Sequence, residues 1–182
     1  MKDLQNLIKD HELVRTTMFG DKHTGELLAE RDLPKIYDIC EIVKPKNTLE
    51  LGFNRGSSAL MWLLCSSTNL VSTDIKEKPK SVKYLKDRFG DRFNFICMNH
   101  ELLATKDEYI NQFDFIFIDG GHSYKDVERD IKNCLRFNPK YIGFDDYYHP
   151  AHTKDIHSLI KKYNLNVIKE YKTGGGQALV KL

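Results

Sequence analysis

Short apolar runs alternate along the chain with stretches whose apolar residues recur at helical spacing. Leu4, Leu7 and Ile8 predict a short helix over residues 2–11. Residues 16–25 carry two glycines and no periodicity, so they read as a loop, either a lid over a site or a plain surface connection. Leu33, Ile36, Tyr37, Cys40 and Val43 mark an amphipathic helix, with Asp32 as its N-cap, Pro34 in its first turn and Pro45 as its stop. Thr48 to Leu51 is the first strand, and the run from Ser57 to Cys65 is a helix apolar on nearly every side, hence buried between layers.

The alternation continues. Leu70–Asp74 is a second strand, Val82, Leu85 and Phe89 mark a helix that stops at Gly90, and Phe93–Cys97 is a third strand. A short helix is expected over Leu103–Asn111. Phe113–Asp119 is a fourth strand, apolar enough to be covered on both faces. Ser123 and Asp126 resemble a capping box opening a helix with Tyr124, Val127, Ile131 and Leu135 on one face. Tyr141–Phe144 is a fifth strand closed by Asp145-Asp146, and Ile156, Leu159, Ile160 and Tyr163 mark a last helix. The ending differs: Val167–Tyr171 and Gln177–Lys181 flank Gly174-Gly175-Gly176, which predicts an antiparallel hairpin. The pattern therefore predicts an α/β fold, a doubly wound, Rossmann-like, mainly parallel sheet of about seven strands with a C-terminal antiparallel hairpin and helices on both faces. In such sheets ligands bind beyond the carboxyl ends of the strands, where Glu50, Asp74, Asp119 and Asp145-Asp146 should converge.

Composition narrows the class. At 182 residues, 41% apolar and 30% charged, the chain suits one soluble domain with a full core. A net charge of +2 gives no reason to expect a nucleic-acid partner. No apolar run is long enough to span a bilayer, so no membrane partner is expected, and the charged start at Met1–Gln5 lacks a leader's apolar region. Cys40, Cys65, Cys97 and Cys134 form no C-x-x-C pair and sit in apolar segments, which reads as buried, reduced thiols in a cytoplasmic protein.

The candidate chemistry begins at Thr48-Leu49-Glu50-Leu51-Gly52-Phe53-Asn54-Arg55-Gly56-Ser57-Ser58. A strand, a glycine turn and a helix in succession cradle a nucleotide-like ligand, because glycine lets the backbone approach it and the helix N-terminus offers N–H groups. Asp74 ends the second strand, where a carboxylate accepts hydrogen bonds from ribose hydroxyls. A dinucleotide turn would be G-x-G-x-x-G; here bulky Phe53, Asn54 and Arg55 separate the glycines, which disfavours a pyrophosphate. Glu50 before the turn suits a ligand carrying a cationic amine.

With these residues in view, the sequence resembles the class I S-adenosylmethionine-dependent methyltransferases. L-E-L-G-F-N-R-G-S-S-A is similar to the cofactor motif of the catechol and caffeoyl-CoA O-methyltransferases, and F-I-D-G-G-H-S-Y resembles the fourth-strand motif of their small bacterial relatives. The resemblance covers residues 32–182 as one methyltransferase domain, preceded by an N-terminal helix and loop over 1–31. It implies that Glu50, Gly52, Phe53, Asn54, Gly56 and Ser58 contact the methionine moiety of S-adenosylmethionine. It implies also that Asp74 holds the ribose, that Ile75 and Met98 lie against the adenine, that Asn99 meets the adenine amine, and that Asp119 lies at the crevice floor.

Catechol-type enzymes bind a divalent cation through an Asp after the fourth strand and an Asp-Asn pair after the fifth. Asp119, Asp145 and Asp146 stand at these places, with Asp for Asn, and their oxygens suit Mg²⁺ or Ca²⁺, with Mn²⁺ a further candidate. The other reading is that Asp146 caps a loop while Asp145 touches cofactor or substrate. His122 stands where those enzymes carry a lysine base, and its ordinary pKa suits proton removal near neutrality; a cofactor contact or a packing role at the Ser123 helix start competes with that. The catalytic candidates are thus His122, Asp119 and Asp145. His149 and His152 either border the substrate pocket or are plain loop residues, and His11, His23, His100 and His157 read as surface or local-contact residues.

The expected function is methyl transfer to a hydroxyl of a small molecule. An NAD(P)-dependent oxidoreductase and a non-catalytic methyltransferase-like binding module are the rivals; no N/D-P-P-Y motif suggests a nucleic-acid acceptor. The acceptor and the oligomeric state, a homodimer included, stay open.

Overall fold

The computed structural model describes residues 4–19 and 29–182. Two helices, α1 (Leu4–Phe19) and α2 (Ala29–Val43), precede β1 (Asn47–Leu51), α3 (Ser57–Cys65), β2 (Asn69–Asp74), α4 (Pro79–Phe89) and β3 (Phe93–Cys97). Then follow β4 (Phe115–Ile118), α5 (Tyr124–Phe137), β5 (Tyr141–Phe144), α6 (Thr153–Lys162), β6 (Asn166–Tyr171) and β7 (Gln177–Lys181). The seven strands form one sheet in the order β3-β2-β1-β4-β5-β7-β6. The first five are parallel and β7 runs antiparallel to both β5 and β6. The order reverses between β1 and β4, which opens a crevice at their carboxyl ends.

Strand alternation divides the core in two. Phe115 and Phe117 of β4 point to one face, where Trp62 of α3 meets them edge-on at ring separations of 5.2 and 5.0 Å, with α1, α2 and α4 around them. Ile116 and Ile118 point to the other face, against Val127, Ile131, Cys134 and Phe137 of α5 and Ile156, Leu159 and Ile160 of α6. Gly143 in β5 leaves room for the two β4 rings, since a Cβ there would stand 2.8 Å from Phe117 and 2.9 Å from Phe115. Packing on both faces is why these strands read as nearly continuous apolar runs.

Several boundaries differ from the expectation. α1 continues to Phe19, through the first part of the segment expected to be a loop; its remainder, residues 20–25, lies outside the described residues. Tertiary contact sustains this helix: His11 is fully buried and reaches Ser57, and Asp10 accepts from Arg88 of α4. α2 begins at Ala29, so Asp32 lies inside its first turn and pairs with Lys35 and Arg31 instead of capping. The helix expected over 103–111 is two 3₁₀ turns, His100–Thr105 and Asp107–Tyr109, the first capped by Asn99, whose Oδ1 accepts from the Glu101 N–H. Ser123 caps α5 as expected. Cys40 and Cys134 are buried, Cys65 is half-buried and Cys97 at the end of β3 is exposed, because it sits on an edge strand; no disulfide joins the four. Among the described residues no helix is long and apolar enough to cross a membrane.

Candidate active site

The strand ends and the loops after them enclose a crevice of about 710 Å³, within the range of small-molecule sites. One wall is the turn from β1 into α3. Gly52 has φ +110°, and a Cβ there would stand 2.0 Å from the backbone oxygen of Asp119, so only glycine lets β1 approach the β4 tip this closely. Gly56 has φ +85° and yields to the Phe53 ring, which a Cβ would meet at 2.6 Å. That ring is buried against Phe93 and Phe95, leaving the residue's backbone to face the crevice. Gly56 itself and Glu50 do not line it.

Glu50 departs from its expected role. Alternation along β1 turns its side chain under the glycine turn, fully buried, where Ser72 Oγ donates to Oε2 at 2.6 Å. Burial raises its pKa to about 7, partly offset by Ser58 and Ser72. Its neighbour Ser58 does line the crevice.

Asp74, by contrast, stands where expected. Its Oδ2 accepts from the Asn54 N–H at 2.7 Å and its Oδ1 from the Lys76 N–H at 3.0 Å, so the carboxylate ties the glycine turn to the end of β2 and keeps lone pairs toward the crevice. Ile75 beside it is 65% exposed, an apolar surface open to a flat ring. Asn99 lines the same end while capping the 3₁₀ turn. Met98 does not: its side chain packs into the α5–α6 core, whereas Asn99 caps the 3₁₀ turn at the crevice.

At the opposite end Asp119, Asp145 and Asp146 follow β4 and β5. Burial and then the charge of Asp145 raise Asp119 well above the carboxylate range. Burial raises Asp145 to about 6, opposed by the hydrogen bond it accepts from Gln177 Nε2 at 2.9 Å. The two acids behave as neighbours that resist double ionisation. Asp146 has φ +56°, and its charge adds to the rise of both. Its Oδ2 lies 3.3 Å from His122 Nδ1, whose ring stacks on His152 at 4.6 Å. Among the described residues, three donor atoms within 4.8 Å of one another come from His122, Asp146 and His152, and not from the three carboxylates expected to share a cation. As placed, the carboxylate set does not fit a hard-oxygen cation cage.

Four residues of the site carried no sequence signal. Arg31 and Lys35 of α2 reach the crevice beside Asp145, sharing Asp32; Lys35 also donates to the Thr173 carbonyl. His100 is buried between Thr73 Oγ1 and Asp130 Oδ2, both at 3.1 Å, and Arg129 closes the chain on Asp130. Gly120 yields to this network, since a Cβ there would stand 2.9 Å from the His100 ring. The His100 network pairs residues far apart in the chain, which one sequence does not display.

Comparisons with known proteins identify the family and the fold. Residues 49–147, more than half of the chain, match a family described as "Methyltransferase domain", and the chain belongs to that family. Comparison with curated protein sequences found no match. Among solved structures, the chain is similar to the S-adenosylhomocysteine-bound methyltransferase PaMTH1 of Podospora anserina, at 18% identity and a TM-score of 0.70 over 97% of this chain and 87% of that one. It is similar also to an O-methyltransferase of Bacillus cereus in complex with S-adenosylhomocysteine, at 14% identity and a TM-score of 0.64 over 100% and 92%. A third is the 1,6-didemethyltoxoflavin-N1-methyltransferase of Burkholderia thailandensis, at 12% identity and a TM-score of 0.65 over 98% and 86%. Such distant likenesses define a shared fold, one that hosts both oxygen and nitrogen acceptors.

Proposed function

We propose that this protein transfers the methyl group of S-adenosylmethionine to a hydroxyl of a small molecule. The observation that carries the reading is the crevice with two unlike ends. One end offers Asp74 and exposed Ile75, which suit a ribose and an adenine, beside a glycine turn that a Cβ would close. The other offers the His122–Asp146 pair. The donor's methionine portion would lie along Gly52, Asn54 and Ser58 between them.

When bound, S-adenosylmethionine supplies an electrophilic methyl group on a sulfonium. The chain's own residues do the rest. Asp74 fixes the ribose and so the position of the sulfonium along the crevice. Asp119 and Asp145 place negative charge near the cationic donor, which favours their ionised forms. With Nδ1–H directed at Asp146, His122 Nε2 can accept the proton of an acceptor hydroxyl as it attacks in line. This pair is the reason for preferring oxygen: a hydroxyl must lose a proton to attack well, whereas a neutral amine already carries a lone pair. Calorimetric titration with S-adenosylhomocysteine tests the reading. One-to-one binding is expected, and no binding by the wild-type chain would sink it. Nicotinamide dinucleotide binding in its place would establish the oxidoreductase alternative.

A further inference from the structure

We propose that His122, Asp146 and His152 form a binding site for one borderline divalent cation of the Zn²⁺ or Co²⁺ kind, separate from the Asp119–Asp145 pair. The residues come from two loops that the sheet brings together, His122 from the turn after β4 and the others from the turn after β5. Each offers one donor atom, and the three lie within 4.8 Å of one another. The loop after β5 is tightly wound: the His149 N–H donates to the Asp146 carbonyl at 3.0 Å and the His152 N–H to the His149 carbonyl at 2.9 Å. This winding, with Asp146 at positive φ, turns Asp146 and His152 toward the same point. The third donor, His122, has a side chain 50% exposed, with Nδ1 already 3.3 Å from Asp146 Oδ2.

A second observation concerns both imidazoles. A cavity of about 10 Å³, roughly the room for one water, is lined by His122 and His152 together with Asp119, Asp145 and apolar residues such as Phe144 and Ile156, though not by Asp146. The donor chemistry then selects the cation. Two imidazoles and one carboxylate suit zinc, cobalt, nickel or ferrous iron and leave positions open, whereas magnesium and calcium want oxygen alone. Occupancy has a consequence that rests on the proposed methyl-transfer reading. A cation on His122 Nδ1 leaves the proton on Nε2, so the loaded ring cannot accept one from an acceptor. Cation and acceptor proton compete for one imidazole.

The test is a Co²⁺ titration of the full chain, purified without a histidine tag and followed by visible absorption. One Co²⁺ per chain is expected, with the d–d bands of imidazole ligation. Binding should weaken about tenfold or more in both His152→Ala and His122→Gln. A silent titration, or undiminished binding in either variant, overturns the site. Loss in Asp119→Asn with His152→Ala still binding fully would place the cation among the carboxylates and also overturn it. Titrating S-adenosylhomocysteine into the same samples shows that each variant is folded and keeps two failures apart. If S-adenosylhomocysteine binds and Co²⁺ does not, the metal site alone falls; if S-adenosylhomocysteine does not bind wild type, the cofactor reading falls whatever the metal does.

Discussion

Replacing Gly52 by alanine tests the contact on which the cofactor cradle depends. A Cβ at this position would stand 2.0 Å from the Asp119 oxygen, 2.5 Å from its carbonyl carbon and 2.9 Å from the Gly120 nitrogen, all backbone atoms that no rotamer change can clear. Real Cβ contacts stay beyond 3.0 Å, so the tips of β1 and β4 must separate by about 1 Å. The φ of +110° adds a cost of its own. Gly90 supplies the control, with φ +58° and nothing within 4 Å of a built Cβ. Gly90→Ala should lose only the conformational term, about 1–3 kcal/mol. Gly52→Ala should lose a similar term plus about 1–3 kcal/mol for forcing an overfilled contact, roughly 2–6 kcal/mol in all. That is a large share of the about 5–15 kcal/mol that holds a domain folded. Urea unfolding of the two variants measures the difference, and calorimetry with S-adenosylhomocysteine measures its effect on the site. Affinity should fall tenfold or more in Gly52→Ala and stay unchanged in Gly90→Ala, which lies away from the crevice. Equal destabilisation in the two variants, together with wild-type affinity in Gly52→Ala, would refute the close approach of β1 to β4.

Other consequences are as open to measurement. Glu50 has its pKa raised from 4.5 to about 7, so its folded form holds a proton that the unfolded chain has released; stability is fullest below pH 4.5 and declines by roughly 3 kcal/mol up to pH 7. The stability difference between wild type and Glu50→Gln should therefore shift against wild type by roughly 2 kcal/mol between pH 5 and 7.5, and a pH-independent difference contradicts the burial of a carboxyl there. Asp74→Ala should weaken S-adenosylhomocysteine binding about 10- to 150-fold, the loss of hydrogen bonds to a charged group; unchanged affinity removes the ribose assignment. His122→Gln should lower the methyl-transfer rate about 10²- to 10⁴-fold with an acceptor found by screening, and an intact rate removes it as the base. Asp130→Ala strips His100 and Arg129 of a fully buried partner and should cost about 3–5 kcal/mol in urea unfolding, whereas a loss under 1 kcal/mol, about the value of an exposed pair, would show the network to be dispensable.

Periodicity and turn chemistry alone determined the sheet, the helices on both faces and the final hairpin. These depend on which residues must be buried, and a strand such as Phe115–Ile118 shows that in its composition. The glycine turn and Asp74 were legible for the same reason: a residue type that only one backbone geometry admits marks its own place. Tertiary structure decided what faces what. Glu50 and Asp74 are both acids near strand ends, yet the pleat sends one under the turn and the other into the crevice. Met98 and Asn99 are adjacent, yet one packs into the core and the other lines the crevice. His100 and Asp130 are 30 residues apart and meet only because the 3₁₀ turn after β3 packs against α5. His122 sits on one loop and Asp146 and His152 on another, and the parallel pairing of β4 with β5 brings the three within 4.8 Å. A sequence records each residue's own preference for burial or for a turn; the distance between side chains on different strands is fixed only when the sheet closes.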